Sequence, residues 1–409
     1  MKVRAVGVIC VAASLAVTMA ACSSSKSSGK GSSGSSASGS STGSAASGSP
    51  INIALLAPLT GGNATIADQQ QNVAEMEADQ VNAAGGINGH RVVIKTYDTQ
   101  LKPEIAAQQA QRAITQDSAA AIIGPWASAE ALAIQSIADR SKTVTITGSA
   151  STASITAGQK YMFRTSPLSD DLSLGLVKVG QALKAKKLAV LYDSSATGLG
   201  FKTAITNAAK ANNYELGTEV QYTFSATSVS AEVTKVVQSN ADAVAIAGSV
   251  ASDYGLIAKA MVEQGLKVPL IGFSPISLPD ALKIAGDAYT QLPSVYTIST
   301  ADTTKPQAKA VLADYNAKFA KVQSLPEQCY GIYDALRVVV LGLKKTNGVA
   351  GEALATALEQ LPASIGANGK TGAQEQFTPD RHDALSGLYV VPYKITNGVP
   401  VQDTSLNLG

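Results

Sequence analysis

The chain has 409 residues, 45% hydrophobic and 15% charged, with 32 Lys and Arg against 30 Asp and Glu. Lys2, Arg4, Lys26 and Lys30 fall in the first 50 residues, which hold no acid, so residues 51–409 carry 28 basic and 30 acidic groups, a formal charge of −2. That balance excludes a nucleic-acid surface built on net positive charge, and three cysteines exclude a disulfide-rich scaffold.

Residues 1–22 begin with a short basic stretch, Lys2 and Arg4, followed by an apolar run from about Ala5 to Met19 and then small residues. This is the plan of a bacterial secretory signal, with an apolar run too short for a permanent membrane span. Ala20-Ala21-Cys22 resembles the lipobox of bacterial lipoproteins, with Met19 where that pattern prefers leucine. The resemblance implies lipidation of Cys22 and an extracytoplasmic protein anchored to the cell membrane; a plain secretory signal cut nearby is the alternative. Residues 23–50 are Ser and Gly with two lysines and no large apolar side chain. Such a segment cannot offset its ordering entropy, so it is expected to be a disordered linker. Its 28 residues would span roughly 30 Å. Gly39-Ser40-Ser41-Thr42-Gly43 matches G-x-S-x-G in letters alone, because no strand precedes it and no helix follows.

From residue 51, apolar β-branched runs alternate with alanine-rich stretches of helical period. Strands are expected at 51–59, 91–98, 119–124 and 143–149, with helices near 66–84, 103–116 and 128–139 between them. The rhythm resumes with strands at 187–193, 214–222, 242–248, 268–273 and 294–300 and helices near 200–212, 229–239 and 254–265. Helices follow at 306–322, 326–346 and 351–361, and a strand at 387–395 closes the chain. Repeated β-α units predict mostly parallel sheets covered by helices on both faces. Two such sets predict an α/β protein of two doubly wound, Rossmann-like lobes, and open parallel sheets bind ligands beyond their strand carboxyl ends.

The stretches VNAAGGINGHRVVIKTYDTQLKPEIAAQQAQRAI (81–114), PLTGG (58–62), IIGPWAS (122–128), YMFRTSP (161–167) and CYGIYDAL (329–336) occur in an order and spacing that resembles the type I periplasmic binding proteins. The branch is the leucine/isoleucine/valine-binding one that serves ABC importers. The resemblance covers about 51–400. It implies a lobe of 51–165 plus 300–385 and a second of 166–299 plus 386–409, joined by three hinge segments near 164–167, 297–301 and 383–388. It also implies a small-molecule solute held between the lobes, ABC permease subunits as partners, a monomer, and no cofactor or metal.

By that resemblance Ser128 binds a ligand carboxylate, helped by backbone N–H groups at helix starts. Ser149, Ala150 and Ser151 grip the ligand's ammonium and carboxylate. For Ser128 and Ser151 helix N-capping is the other reading. Trp126, the one tryptophan, and Tyr330 either stack on a ligand or belong to the core. Thr197 stands where the family has a tyrosine, and Ser274 where it has the glutamate that pairs with the ammonium. A zwitterionic ligand would then need Glu130, Asp193 or Asp253 for its charge partner. The family disulfide positions fall on Leu101 and Ala127.

An enzyme is disfavoured by the residues themselves. His90 and His382 are the only histidines, and no metal-ligating or nucleophile–base pattern accompanies them. Thr197-Gly198-Leu199-Gly200-Phe201-Lys202-Thr203 puts Thr203 where a dinucleotide loop needs its third glycine. A ligand-sensing receptor domain of the same fold stays open. Cys329, the one cysteine past residue 22, reads as a reactive thiol or a buried small hydrophobe.

Overall fold

The computed structural model describes residues 48–60, 64–322, 325–369, 371–385, 390–406 and 408; the expected signal, Cys22 and nearly all of the linker lie outside them. The first set of elements is β1 (Gly48–Ala57), α1 (Ala64–Ala83), β2 (His90–Asp98), α2 (Pro103–Thr115), β3 (Ala121–Ile123), α3 (Ser128–Ser141), β4 (Thr145–Thr147) and β5 (Met162–Arg164). The second is α4 (Ser169–Ala182), β6 (Lys187–Asp193), α5 (Ala196–Ala211), β7 (Glu215–Tyr222), α6 (Ser230–Gln238), β8 (Ala243–Ala247), α7 (Ala251–Glu263), β9 (Leu270–Gly272), α8 (Pro279–Ala285), α9 (Ala288–Gln291) and β10 (Val295–Ser299). Helices α10 (Pro306–Lys318), α11 (Glu327–Lys345) and α12 (Glu352–Glu359) follow, then β11 (Val391–Thr396) and β12 (Val399–Gln402).

Two sheets result. One has the order β2-β1-β3-β4-β5 and is parallel throughout. The other runs β12-β11-β10-β9-β8-β6-β7, parallel from β7 to β10 and antiparallel at β11 and β12. Within each, the parallel strands repeat one winding: the second strand of the set lies outside the first, and the third lies on its other side. The order therefore reverses beside β1 and again beside β6, and those are the places where a crevice opens at the strand carboxyl ends. The apolar runs of the sequence become strands buried on both faces: Ile53–Ala57 in β1 and all of β8. Each fully buried Leu, Ile or Val side chain there is worth about 1.5–3 kcal/mol.

Five elements escape the pattern of the sequence, two of them the short helices α8 and α9 between β9 and β10. Helix α4 and strand β5 fall between the two expected sets. Of the closing strand expected at 387–395, residues 387–389 lie outside the described ones; β11 begins at Val391 and pairs with a further strand, β12.

The chain passes between the sheets at 164–169, where β5 leads into α4, and at 299–306, where β10 leads into α10. Asp383, upstream of β11, forms a parallel bridge with Arg164. The Arg164 side chain is fully buried and ion-pairs with Asp383, while also donating to the Thr152 carbonyl (2.8 Å) and the Thr156 hydroxyl (3.2 Å). His382 stacks on Phe163 with ring centroids 4.0 Å apart. Cys329 is free and buried, and burial pushes its thiol up to about 12. It is the small hydrophobe of the two readings.

Asp383→Ala leaves the Arg164 guanidinium buried without its carboxylate. Urea denaturation is expected to show a loss of about 3 kcal/mol or more; a loss below about 1 kcal/mol would mean that the pair does not tie the crossing segments.

Candidate functional site

Both sheets send their strand carboxyl ends to one cavity of about 640 Å³, part of it open to solvent. Trp126 and Ser128 follow β3, Ser149–Ser151 follow β4, Thr197 follows β6, Ser249 follows β8 and Ser274 follows β9. Seven of the eight ligand residues expected from sequence line it: Trp126, Ser128, Ser149, Ala150, Ser151, Thr197 and Ser274.

Tyr330 does not. It is fully buried in the apolar cluster under the first sheet, so its core reading replaces the stacking one. Trp126 both lines the cavity and packs into the apolar cluster of the second set, together with Leu101 and Ala127. The two positions of the family disulfide are thus occupied by buried apolar side chains.

The turns are built from side chain to backbone. Gly124 has φ +95°, and a Cβ there would sit 2.3 Å from the Leu56 carbonyl oxygen, so β3 ends against β1 only with glycine. Thr147 donates to the Pro125 carbonyl (3.1 Å) and accepts from the N–H groups of Ser149 (3.3 Å) and Ala150 (2.9 Å). One buried hydroxyl thereby ties together the turns after β3 and β4. Gly148 lies backbone to backbone on Gly331 of α11: a Cβ on either would approach the other's carbonyl oxygen to 2.3 Å or less.

Ser128 is the first residue of α3, and the cap position belongs to Ala127, whose N–H donates to Glu130 (2.9 Å). Ser151 likewise precedes Thr152, the cap of the short turn at Ala153–Ile155. The capping reading therefore fails for both serines. The Ser128 hydroxyl oxygen instead accepts from the N–H groups of Ser151 and Thr152, both at 3.3 Å. A hydroxyl has two lone pairs and one proton. With both lone pairs engaged, Ser128 has only its proton to offer. The first N–H groups of α3 and α5 lack intrahelical partners and carry partial positive charge. The Ala129 N–H reaches the Thr197 hydroxyl at 3.4 Å, linking the two sets of turns.

The expected acids are elsewhere. None of Glu130, Asp193 and Asp253 is a lining residue, and all three are fully buried. Asp193 accepts from Ser195, backbone and hydroxyl, and from the Ser249 N–H (3.3 Å), fixing the turns after β6 and β8. Burial pushes Glu130 up to about 7 against the pull of the Ala127 N–H. Burial, and then the nearby Asp193, push Asp253 up to about 7. These carboxyls hold turns and do not face the cavity.

The acid of the cavity is Glu327, at the start of α11, which sequence reasoning missed. Its carboxylate accepts from the Ser299 hydroxyl and from the Gln328 amide (3.3 Å). Gln328 also donates to Ser274 (3.1 Å) and accepts from Ser149 (3.4 Å), so a chain of side chains joins the turns after β4 and β9. Asn368, Leu172, Phe201 and Phe273 complete the wall, and the two phenylalanines stack with centroids 3.8 Å apart. The Ala150 carbonyl is taken by Ser166 (2.8 Å) and that of Ser151 by the Ser169 N–H (2.7 Å). That leaves fewer carbonyl lone pairs for an ammonium than the resemblance implies.

A family profile described as "Periplasmic binding protein" matches residues 50–398. An amino acid binding protein of Pseudomonas aeruginosa is 29% identical over 292 residues, covering 67% of this chain and 76% of its own length. A leucine-binding protein, LivK, of Thermotoga maritima superposes with TM-score 0.78 at 22% identity, over 87% of this chain and 98% of its own. A solute-binding protein of an ABC transporter from Rhodopseudomonas palustris, solved with 3,4-dihydroxybenzoic acid, superposes with TM-score 0.73 at 22% identity, over 87% and 96%.

Glu130 and Asp253 both titrate near 7 in the folded chain, above the ordinary carboxyl values of about 4 in an unfolded one. The fold holds their protons more tightly than the unfolded chain does. Their contribution to stability is full below about pH 4, falls as pH rises through about 7, and is absent above it. Urea midpoints are therefore expected to be higher at pH 5 than at pH 8. Glu130→Gln and Asp253→Asn should each flatten the slope, and an unchanged slope in both variants would refute the assignment.

Proposed function

Because the chain belongs to the periplasmic binding protein family, in its type I leucine/isoleucine/valine-binding branch, we propose that it is the solute-binding subunit of an ABC importer, outside the cytoplasm, holding a small carboxylate or amino-acid-like solute. It is a solute-binding protein and not an enzyme, as its relatives are. Lobes of 51–165 plus 300–385 and 166–299 plus 386–409 close over the solute as a monomer and present it to permease subunits. A lipid on Cys22 and the 23–50 tether hold it at the membrane; no helix among the described residues is long and apolar enough to cross one.

One observation carries the reading. The Ser128 hydroxyl has both lone pairs occupied by backbone N–H groups and sits at the start of a helix, on the cavity wall. A group that can only donate, beside partial positive charge, suits a carboxylate oxygen without any Arg or Lys. Ser151, Thr197 and Ser274 add hydroxyls on facing walls, with Ser149 and Ala150 shaping the turn. Phe201 and Phe273 line the apolar part of the cavity, where Trp126 also shows a face. Amino acids and aromatic acids, the classes named for the relatives, both have the required carboxylate and apolar body.

Thermal denaturation of the full chain against amino acids, aromatic acids and amides should reveal a stabilising solute, and no shift with any of them would defeat the reading. Ser128→Ala with Ser151→Ala is expected to weaken that solute at least about tenfold, or ~1.4 kcal/mol. Unchanged affinity removes both residues from the site. Cys22→Ser should move the protein from the membrane fraction to the soluble extracytoplasmic one; retention at the membrane refutes the anchor.

A further inference from the structure

Of the residues that line the cavity, Glu327 alone has a titratable side chain; none is a lysine, arginine or histidine. The basic groups behind the walls are committed elsewhere. Arg164 is paired with Asp383 and donates to the Thr152 carbonyl. The buried Lys305 donates to the Asn368 carbonyl at 2.6 Å. The other titratable groups near Glu327 are Tyr393 of β11, whose hydroxyl donates to the Ala301 carbonyl (2.8 Å), and beyond it Asp302, which accepts from Thr304 and Thr371. Cys329 and Tyr330 point into the core from the same helix. Neutral donors surround the Glu327 carboxylate: the Ser299 and Ser274 hydroxyls, the Thr300 N–H and the Gln328 amide. Burial raises its affinity for a proton and these donors lower it.

A solute carboxylate brought into this enclosure is a second anion with no cation on the walls. Two carboxylates in one site cannot both ionise freely. We infer that Glu327 is the charge selector of the cavity: a carboxylate enters only with one positive charge, either the solute's own ammonium or a proton taken up by Glu327. The inference rests on the carboxylate-binding reading and assigns its selectivity to a residue on α11 instead of Ser274. A zwitterion brings its own cation, which the Glu327 carboxylate receives. A simple organic acid brings none, so its binding is coupled to protonation of Glu327. Its affinity then falls as pH rises above the carboxyl's value in the free protein.

Matched solutes separate the cases: L-leucine with 4-methylpentanoate, and L-phenylalanine with 3-phenylpropanoate. Each pair shares a side chain and differs in the amino group. Calorimetric titration of the full chain in buffers of different ionisation enthalpy counts the protons taken up. The organic acids are expected to bind with uptake of about one proton and to weaken up to about tenfold per pH unit across the range above the Glu327 carboxyl's own value in the free protein. The amino acids are expected to take up none and to vary less than about twofold over the same range. In Glu327→Gln the acids should lose their pH dependence and bind at least about tenfold tighter at the upper pH, while the amino acids weaken at least about tenfold.

The proton count on the unaltered protein decides the matter even if the variant folds poorly. Acids that bind with no proton uptake and a flat profile overturn the selector while leaving the carboxylate reading intact. Failure of all four solutes to bind at any pH overturns both.

Discussion

A parallel sheet has a direction, and the site depends on it. Every strand of the first sheet, and every parallel strand of the second, ends on the same edge. Each helix that follows starts there, with first-turn N–H groups that have no partner within the helix. Two sheets wound alike bring these edges to one cavity. The result is an enclosure with positive partial charge and no basic side chain. Its donors are main-chain N–H groups and serine or threonine hydroxyls, which are short and cannot reorient far. The geometry for an anion is thus set by the fold before any solute arrives.

Such a site is only as good as the turns that carry it, and several buried polar residues serve those turns. Thr147 joins the turns after β3 and β4, and Asp193 those after β6 and β8. Asp334 accepts from the N–H groups of Ala367 and Asn368, both at 2.7 Å, and so positions the Asn368 side chain on the cavity wall. Buried carboxyls are costly unless hydrogen-bonded, and Glu130 and Asp253 hold their protons to about 7 as a consequence. The stability given up there fixes loops that no apolar contact could fix, because loops at a strand edge have backbone groups to satisfy.

Much of this was legible in residue order. Long apolar runs such as Ile53–Ala57 and Ala243–Ala247 declare buried parallel strands, and Trp126, Ser128, Ser149 and Ser274 lie just past such runs. The three-residue strand β5 is too short for a period to register. Helix α4 was hidden by Gly175 and Gly180, which weaken helix propensity. They are there because a Cβ would run into Val390 and Tyr214. The β12 hairpin has its signal in the sequence. Asn397-Gly398 has positive φ at both positions, 51° and 75°, the turn that two adjacent antiparallel strands require. Of the two readings of Tyr330, geometry selects the core: it is two residues from Gln328, about 200° around the helix, so the two cannot face the same way. Glu327 gave no local sign. An acid in a first helical turn usually serves the helix dipole, and only the fold brings Ser299 and Ser274 to it.

The contacts that cross the cavity bear on how the proposed closure is balanced. Gln328 reaches Ser274, Ala129 reaches Thr197, and Trp126 packs into the cluster of the second set. A neutral hydrogen bond contributes about 0.5–1.5 kcal/mol net of the bonds to water it replaces. In the proposed hinge closure these contacts belong to the closed side of an equilibrium between closed and open forms. A solute shifts such an equilibrium only by what it binds more tightly in one form than in the other. In the proposed two-lobe arrangement, groups from both sides of the cavity supply that difference. Ser128, Glu327, Thr197 and Ser274 line one cavity, and under the proposed closure they meet the same molecule only when the two edges come together. A solute that touched one edge alone would bind without closing the protein, and a permease that reads closure would not see it.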